Sequence, residues 1–259
     1  PSTFNLVAPA NAAINQDRQP LLSWATADQV IRYHIEIAAD ANFTNIVYNF
    51  TSNTSSHTVG MALDYATTYY WRVTALNACG ETQSTSTAFF TTVPLPGECS
   101  AGTHANTLYA TDFESGASGW THSGDHDSWA LSTARAHTGV QSFLAQDLAY
   151  DSDQRLVSPS ITLPTDAFPL SLQFWSHQTI ENRIAGCYDG ALLEISNDDG
   201  VSWIQVADGK LLVGSYDGPI STSFNNPARG RQAWCGDPRD WSQTIVDLGA
   251  YAGQSVRFR

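Results

Sequence analysis

The chain has 259 residues, with 25 Asp plus Glu against 12 Lys plus Arg and a formal net charge of −13. That balance excludes the clustered basic footprint of a nucleic-acid binder and attraction to an anionic membrane surface. Hydrophobic residues make up 42% and charged residues only 14%, which excludes a chain too poor in apolar surface to fold. No apolar run reaches the roughly 18 residues of a membrane-inserted helix, so no membrane insertion is expected. The length calls for two domains. Residue 1 is proline with no signal peptide before it, so the chain reads as a mature fragment of something longer.

The first stretch, Leu21 to Thr92, alternates apolar with polar residues. Leu21, Leu22 and Trp24 give one strand signal. Tyr33, Ile35 and Ile37 give the next, followed by Ile46 and Tyr48, then Tyr69, Trp71, Val73 and Ala75, then Phe89 and Phe90. Short strands about ten residues apart predict a β-sandwich. Pro94, Pro96 and Gly97 break the pattern and predict a linker over 94–106. A second series of strands is predicted over 107–259, most clearly at Leu170–Trp175, Ala191–Ile195 and Ser202–Val206. No long 3.6-residue periodicity occurs, so the fold class expected is all-β throughout. Up to Val93 there are 6 acids and 3 bases, and after it 19 acids and 9 bases. The second domain therefore holds most of the negative charge.

The first domain, 1–93, resembles fibronectin type III. The residues that carry the likeness are Trp24 and the run Leu63-Asp-Tyr-Ala-Thr67-Thr-Tyr69-Tyr-Trp-Arg-Val73-Thr-Ala75-Leu-Asn77. Tyr65 stands where the family usually has proline. The resemblance implies that Tyr69 ties its hydroxyl to nearby backbone as a tyrosine corner. A fold of this kind specifies no function by itself. The sequons at Asn42, Asn49 and Asn53 fit chance in a Thr-, Ser- and Asn-rich stretch.

The second domain, 107–259, resembles the MAM-like jelly rolls of secreted bacterial proteases and surface proteins. The carrying residues begin with Asp112-Phe-Glu114-Ser-Gly-Ala-Ser-Gly-Trp120 and Trp129. They continue through Leu156-Val-Ser-Pro159-Ser-Ile161, Leu172-Gln-Phe-Trp175, Cys187-Tyr-Asp189-Gly190 and Leu193-Glu-Ile-Ser196. Asp247-Leu-Gly-Ala-Tyr251-Ala-Gly253 and Val256-Arg-Phe-Arg259 complete the set. By resemblance such domains bind or space and do not catalyse, and a closing strand would follow Arg259. Its absence predicts an open sheet edge beside an Asp112–Glu114 strand, left by truncation or filled by self-association.

The resemblance also implies a structural calcium ion. Asp112 and Glu114, placed two apart on a strand, would share one face, and Asp153 and Asp189 would add loop carboxylates, the hard oxygen donors that Ca2+ takes. Four cysteines allow three pairings. Spacing and the resemblance point to Cys79–Cys99 and Cys187–Cys235, one bridge per domain, with an oxidising address. Ser196-Asn-Asp198-Asp-Gly200-Val-Ser-Trp203 fits an Asp-box. Asp198 is expected to accept turn amides, Gly200 to take positive φ and Trp203 to cover the hairpin.

No catalytic motif is present: no H-E-x-x-H zinc site, no G-x-S-x-G elbow and no phosphate loop. The function expected is a non-catalytic, extracellular binding or adhesion module of a larger secreted or surface protein, with a protein or glycan ligand. A structural subunit of a filament or surface layer is the alternative. Trp120, Trp234 and Trp241 are the aromatic residues put forward for ligand contact.

Overall fold

The computed structural model describes residues 1–100, 102–167 and 169–259, with 237–239 described by backbone alone. The chain is all-β, and its described helical residues are two 3-10 turns, Asp208–Lys210 and Gly249–Tyr251. It divides into two compact units, Pro1–Ala105 and Asn106–Arg259.

Among its described residues the first unit contains nine strands: β1 (Leu6–Ala8), β2 (Ala13–Gln16), β3 (Leu21–Trp24), β4 (Arg32–Ala38), β5 (Ile46–Ser52), β6 (Ser56–Thr58), β7 (Thr68–Asn77), β8 (Gly80–Gln83) and β9 (Ala88–Thr92). One sheet has the order β1-β3-β6. The other has the order β2-β9-β7-β4-β5, with β8 also paired to β7. All of these pairs are antiparallel except β2 with β9. Side chains on a strand alternate between faces. That puts Tyr33, Ile35 and Ile37 of β4 and Tyr69, Trp71, Val73 and Ala75 of β7 inside, where they meet Leu22 and Trp24 from the smaller sheet. Trp71, Ile35 and Leu22 are fully buried, and each such side chain contributes roughly 1.5–3 kcal/mol by leaving water. The Tyr33 ring packs edge-on against Trp24 and Phe4, while its hydroxyl accepts the Ala27 amide.

The second unit continues with β10 (Thr121–Asp125), β11 (Ala130–Ser132), β12 (Ser142–Leu144), β13 (Asp153–Val157), β14 (Ile161–Thr162), β15 (Ser171–Ile180), β16 (Asn182–Arg183), β17 (Gly186–Cys187), β18 (Glu194–Ser196), β19 (Ile204–Gln205), β20 (Leu211–Val213), β21 (Gly218–Pro219), β22 (Gln232–Ala233), β23 (Gly236–Asp247) and β24 (Ser255–Phe258). The sheets β14-β24-β18-β19 and β15-β23-β20 bury one shared core of Ile195, Val256 and Phe258 against Leu170, Leu211, Val246 and Leu248. This is again a sandwich. A smaller cluster of Cys187, Ile220, Ala233 and Cys235 packs with Ile180 and Ala228.

Two sequence expectations are corrected here. Cys187 and Cys235 form a disulfide, but Cys79 and Cys99 are exposed free thiols. Cys79 lies in the turn after Asn77, the far end of β7, with its amide on Asn77 Oδ1. Cys99 follows the chain's exit from β9 at the other end, where Val93 bonds Gln16 and Ser100 bonds Asn15. Ten residues of β7 separate these ends by roughly 30 Å, whereas a bridge requires Cα atoms within about 7 Å.

The second correction concerns Asp112 and Glu114, which do not lie on a strand. Phe113 between them has φ 65°, so the two side chains do not follow a strand's alternation. The segment folds over a ring cluster in which Phe113 meets Trp120 and Phe143 at 5.4 and 5.1 Å. The edge expected beside such a strand is therefore not formed by these residues.

Candidate functional site

The four carboxylates expected to hold calcium are engaged separately. Glu114 Oε1 accepts the amides of Val140 and Gln141, both at 2.8 Å, and Asp112 Oδ1 accepts the Glu114 amide. Asp153 lies on β13, where Arg155 grips it through Nε and Nη2. Asp189 accepts from the Asn226 side-chain amide at 3.3 Å. Among the described residues no three His, Cys, Asp or Glu side chains come together as a metal group.

The Asp-box residues form the expected hairpin between β18 and β19. Asp198 accepts the Ser202 hydroxyl at 2.6 Å, the Ser202 amide at 2.9 Å and the Ser196 hydroxyl at 2.7 Å. These bonds, the Ser202 hydroxyl first, hold its pKa down at about 2. Gly200 has φ 91°, and Trp203 closes the turn by donating Nε1–H to the Gly200 carbonyl.

Of the tryptophans put forward for contact, Trp120 belongs to the ring cluster and donates to the Tyr109 hydroxyl. Trp234 packs inward on Tyr216 and Phe174 and donates to the Gly214 carbonyl. Trp241 lies instead on an aromatic surface, which is the candidate site.

That surface is built by the longest pairing in the unit. Strands β15 and β23 run antiparallel in register from Ser171↔Asp247 to Ser176↔Ser242. Leu172 and Phe174 of β15 pack on the core, so Gln173 and Trp175 point outward. Trp175 pairs with Gln243, and Trp241, two residues earlier on β23, takes the same face. Beyond Ser176 the register shifts. Such irregularities bend a strand and re-aim side chains, here beside His177 and Trp241.

The loop after β11 supplies the rest. It is fixed by bonds from the Ser142 hydroxyl to the Arg135 carbonyl and from the Ala134 amide to the Ser132 hydroxyl. The His137 imidazole lies on the Trp175 indole, centroids 4.0 Å apart and planes 11° apart. Trp241 meets the rings of His137 and His177 edge-on at 5.7 and 5.9 Å. Arg135 Nη1 donates to His177 Nε2, and Gln243 donates to Gln173 Oε1 at 3.3 Å. Trp175 stays 44% exposed.

The arrangement offers ring faces flanked by a guanidinium and two amides. Flat rings accept the C–H face of a sugar, and the polar rim can bond its hydroxyls, the combination that makes Trp effective where one side is apolar and the other wet. The sequence predicts the strand Leu170–Trp175, but the tryptophans put forward for ligand contact are Trp120, Trp234 and Trp241, not Trp175, because adjacent Phe174 and Trp175 do not show which one faces out. His137, 38 residues earlier in a polar loop, left no sequence signal.

The class defined by the first unit is an immunoglobulin-like sandwich domain. More particularly, residues 8–96 match the family model of the Rha78A-like, N-terminal immunoglobulin domain. Among solved structures, the chain is similar to the Streptomyces avermitilis alpha-L-rhamnosidase complexed with L-rhamnose, at 14% identity and a TM-score of 0.29. The match covers 99% of this chain and 21% of that one, so the chain spans about a fifth of its length. No curated protein matches the chain in sequence.

Proposed function

We propose that the chain is a non-catalytic accessory part of a larger extracellular protein, in which the second unit recognises a neutral glycan. The observation that carries this reading is the surface of exposed Trp175 and His137 beside partly exposed Trp241 on a sheet face. Solvent-facing aromatic clusters of this kind mark interaction sites. The first unit supports the accessory role, because its family model is that of an N-terminal immunoglobulin domain, and we assign it as a fibronectin-like spacer. The Cys187–Cys235 bridge fits an oxidising compartment. No described helix is long and apolar enough to cross a membrane.

The test is a glycan array probed with the whole chain, followed by calorimetry on the glycans retained. Neutral oligosaccharides are expected to bind, and Trp175→Ala and Trp241→Ala should each weaken binding about tenfold or more, the scale of losing one buried anchor. Melting temperature should stay unchanged in Trp175→Ala, because that ring is 44% exposed. Retention of no glycan, or binding indifferent to both substitutions, overturns the reading.

A further inference from the structure

Strands β10, β13 and β24 present a second, separate face. β10 pairs with β13 in the register Thr121↔Val157 and Ser123↔Arg155. β13 runs into Ser158, whose amide donates to the Phe258 carbonyl and whose hydroxyl accepts the Phe258 amide, both at 2.9 Å. Strand alternation then brings Arg155, Arg257 and Arg259 to one open surface depression of about 340 Å³, with Trp203 and Asp199 of the Asp-box hairpin at its wall. This size lies within the range of small-ligand sites. Three of the chain's eleven arginines thus converge in a protein of net charge −13.

Each guanidinium is held from one side and keeps a donor on the other. Arg155 uses Nε and Nη2 on Asp153. Arg257 uses Nε on Asp199 at 2.6 Å and Nη1 on the Ser158 carbonyl. Arg259 uses Nε and Nη2 on the buried Glu194, which Arg231 also binds, and lies over the Trp203 ring at 4.5 Å. Nη1 of Arg155, Nη2 of Arg257 and Nη1 of Arg259 have no hydrogen-bond partner among the described residues.

Asp199 differs from the other two acids. Glu194 is buried with 8% of its side chain exposed, and Asp153 is gripped through both oxygens. The Asp199 side chain is 74% exposed and, among the described residues, reaches Arg257 alone. It sits at φ 60°, a conformation that aspartate tolerates better than most residues.

We propose that this depression binds the carboxylate or sulfate of an acidic saccharide, which forks onto the free donors of Arg155 and Arg257 and displaces Asp199 from Arg257. Guanidinium groups favour this paired geometry toward oxyanions, and the Thr121 and Ser123 hydroxyls beside them can bond sugar hydroxyls. The proposal shares with the preceding section the idea that the ligand is a glycan, but its residues are different, so each can fail alone.

The test uses calorimetry of the whole chain at low ionic strength with oligogalacturonate, a sulfated heparin-type oligosaccharide, a neutral oligosaccharide and inorganic sulfate. At least one acidic saccharide should bind in the Trp175→Ala, Trp241→Ala variant, where the neutral one should not. The two acidic probes separate a carboxylate ligand from a sulfate ligand. Arg257→Gln should weaken binding about tenfold or more, as expected for losing a charge-assisted bond. Asp199→Asn should tighten it severalfold, a gain that a damaged fold cannot produce. No binding of either acidic saccharide, inorganic sulfate binding as well as they do, or weaker binding by Asp199→Asn overturns the proposal.

Discussion

The backbone amide of Asp64 donates to the hydroxyl of Tyr69, five residues on, at 3.2 Å. The Tyr69 ring is buried against Phe90, so this bond fixes the approach to β7 from a tightly packed anchor. Tyr69→Phe keeps the ring and removes the acceptor. It should cost the first unit about 1 kcal/mol, a melting shift of a few degrees for a domain of this size, and leave the second unit's transition in place. An unchanged first transition would show that water replaces the bond at no cost.

The Cys187–Cys235 bridge closes a sequence separation of 48 residues and packs with Ile220 and Ala233. Reduction should lower the second unit's stability by roughly 2–4 kcal/mol and leave the first unit unaffected. Native alkylation followed by peptide mapping should label Cys79 and Cys99, which are exposed, and spare Cys187 and Cys235. Recovery of a Cys79–Cys99 linked peptide would contradict the separation of those two turns.

Elements whose side chains alternate were legible in the sequence. β4 and β7 show period-2 patterns because one face is core, and the strand at Leu170–Trp175 was legible too, though not which of its side chains face out. The Asp-box was legible because its bonds are made within eight residues. β23, the longest strand, was not: it starts Gly236-Asp-Pro-Arg-Asp240, a polar run with no visible period. Asp112 and Glu114 misled because spacing of two implies one face only on an extended chain, and Phe113 leaves that region. The stack of His137 on Trp175 depends on a loop whose position is set by long-range packing, which local pattern does not encode.

His57 on β6 is stacked on Phe50, centroids 3.9 Å apart, with Nε2 2.7 Å from the Tyr48 hydroxyl. Burial pushes its pKa below the usual histidine value, because desolvation penalises the charged ring. The folded state thus favours the neutral form, while the unfolded chain takes up a proton near pH 6.5. The stabilisation is present above that pH and is lost as pH falls through it toward the lower folded value. The first unit's melting temperature should drop on acidification from about pH 7 to 5, and His57→Gln should flatten that slope. A slope identical in the variant would assign it to other groups.

Asp198 supplies a titration of the same sign in the second unit, this time because the charged form is the one favoured by the fold. Its carboxylate accepts two hydroxyls and an amide within the hairpin, and these bonds favour the ionised form and hold its pKa at about 2 against an ordinary 3.8. A carboxyl lowered in this way stabilises the fold above its unfolded pKa and ceases to do so as pH falls through the folded value. Asp198→Asn removes the charge and leaves one acceptor oxygen for three donors, so the variant should melt below the parent protein at neutral pH. The gap should hold steady down to about pH 4 and close between there and about pH 2, where the parent's own carboxyl takes up its proton. Melting curves of the two proteins across that range decide the matter, and a gap that stays constant at pH 2 would place the Asn defect in geometry and not in charge.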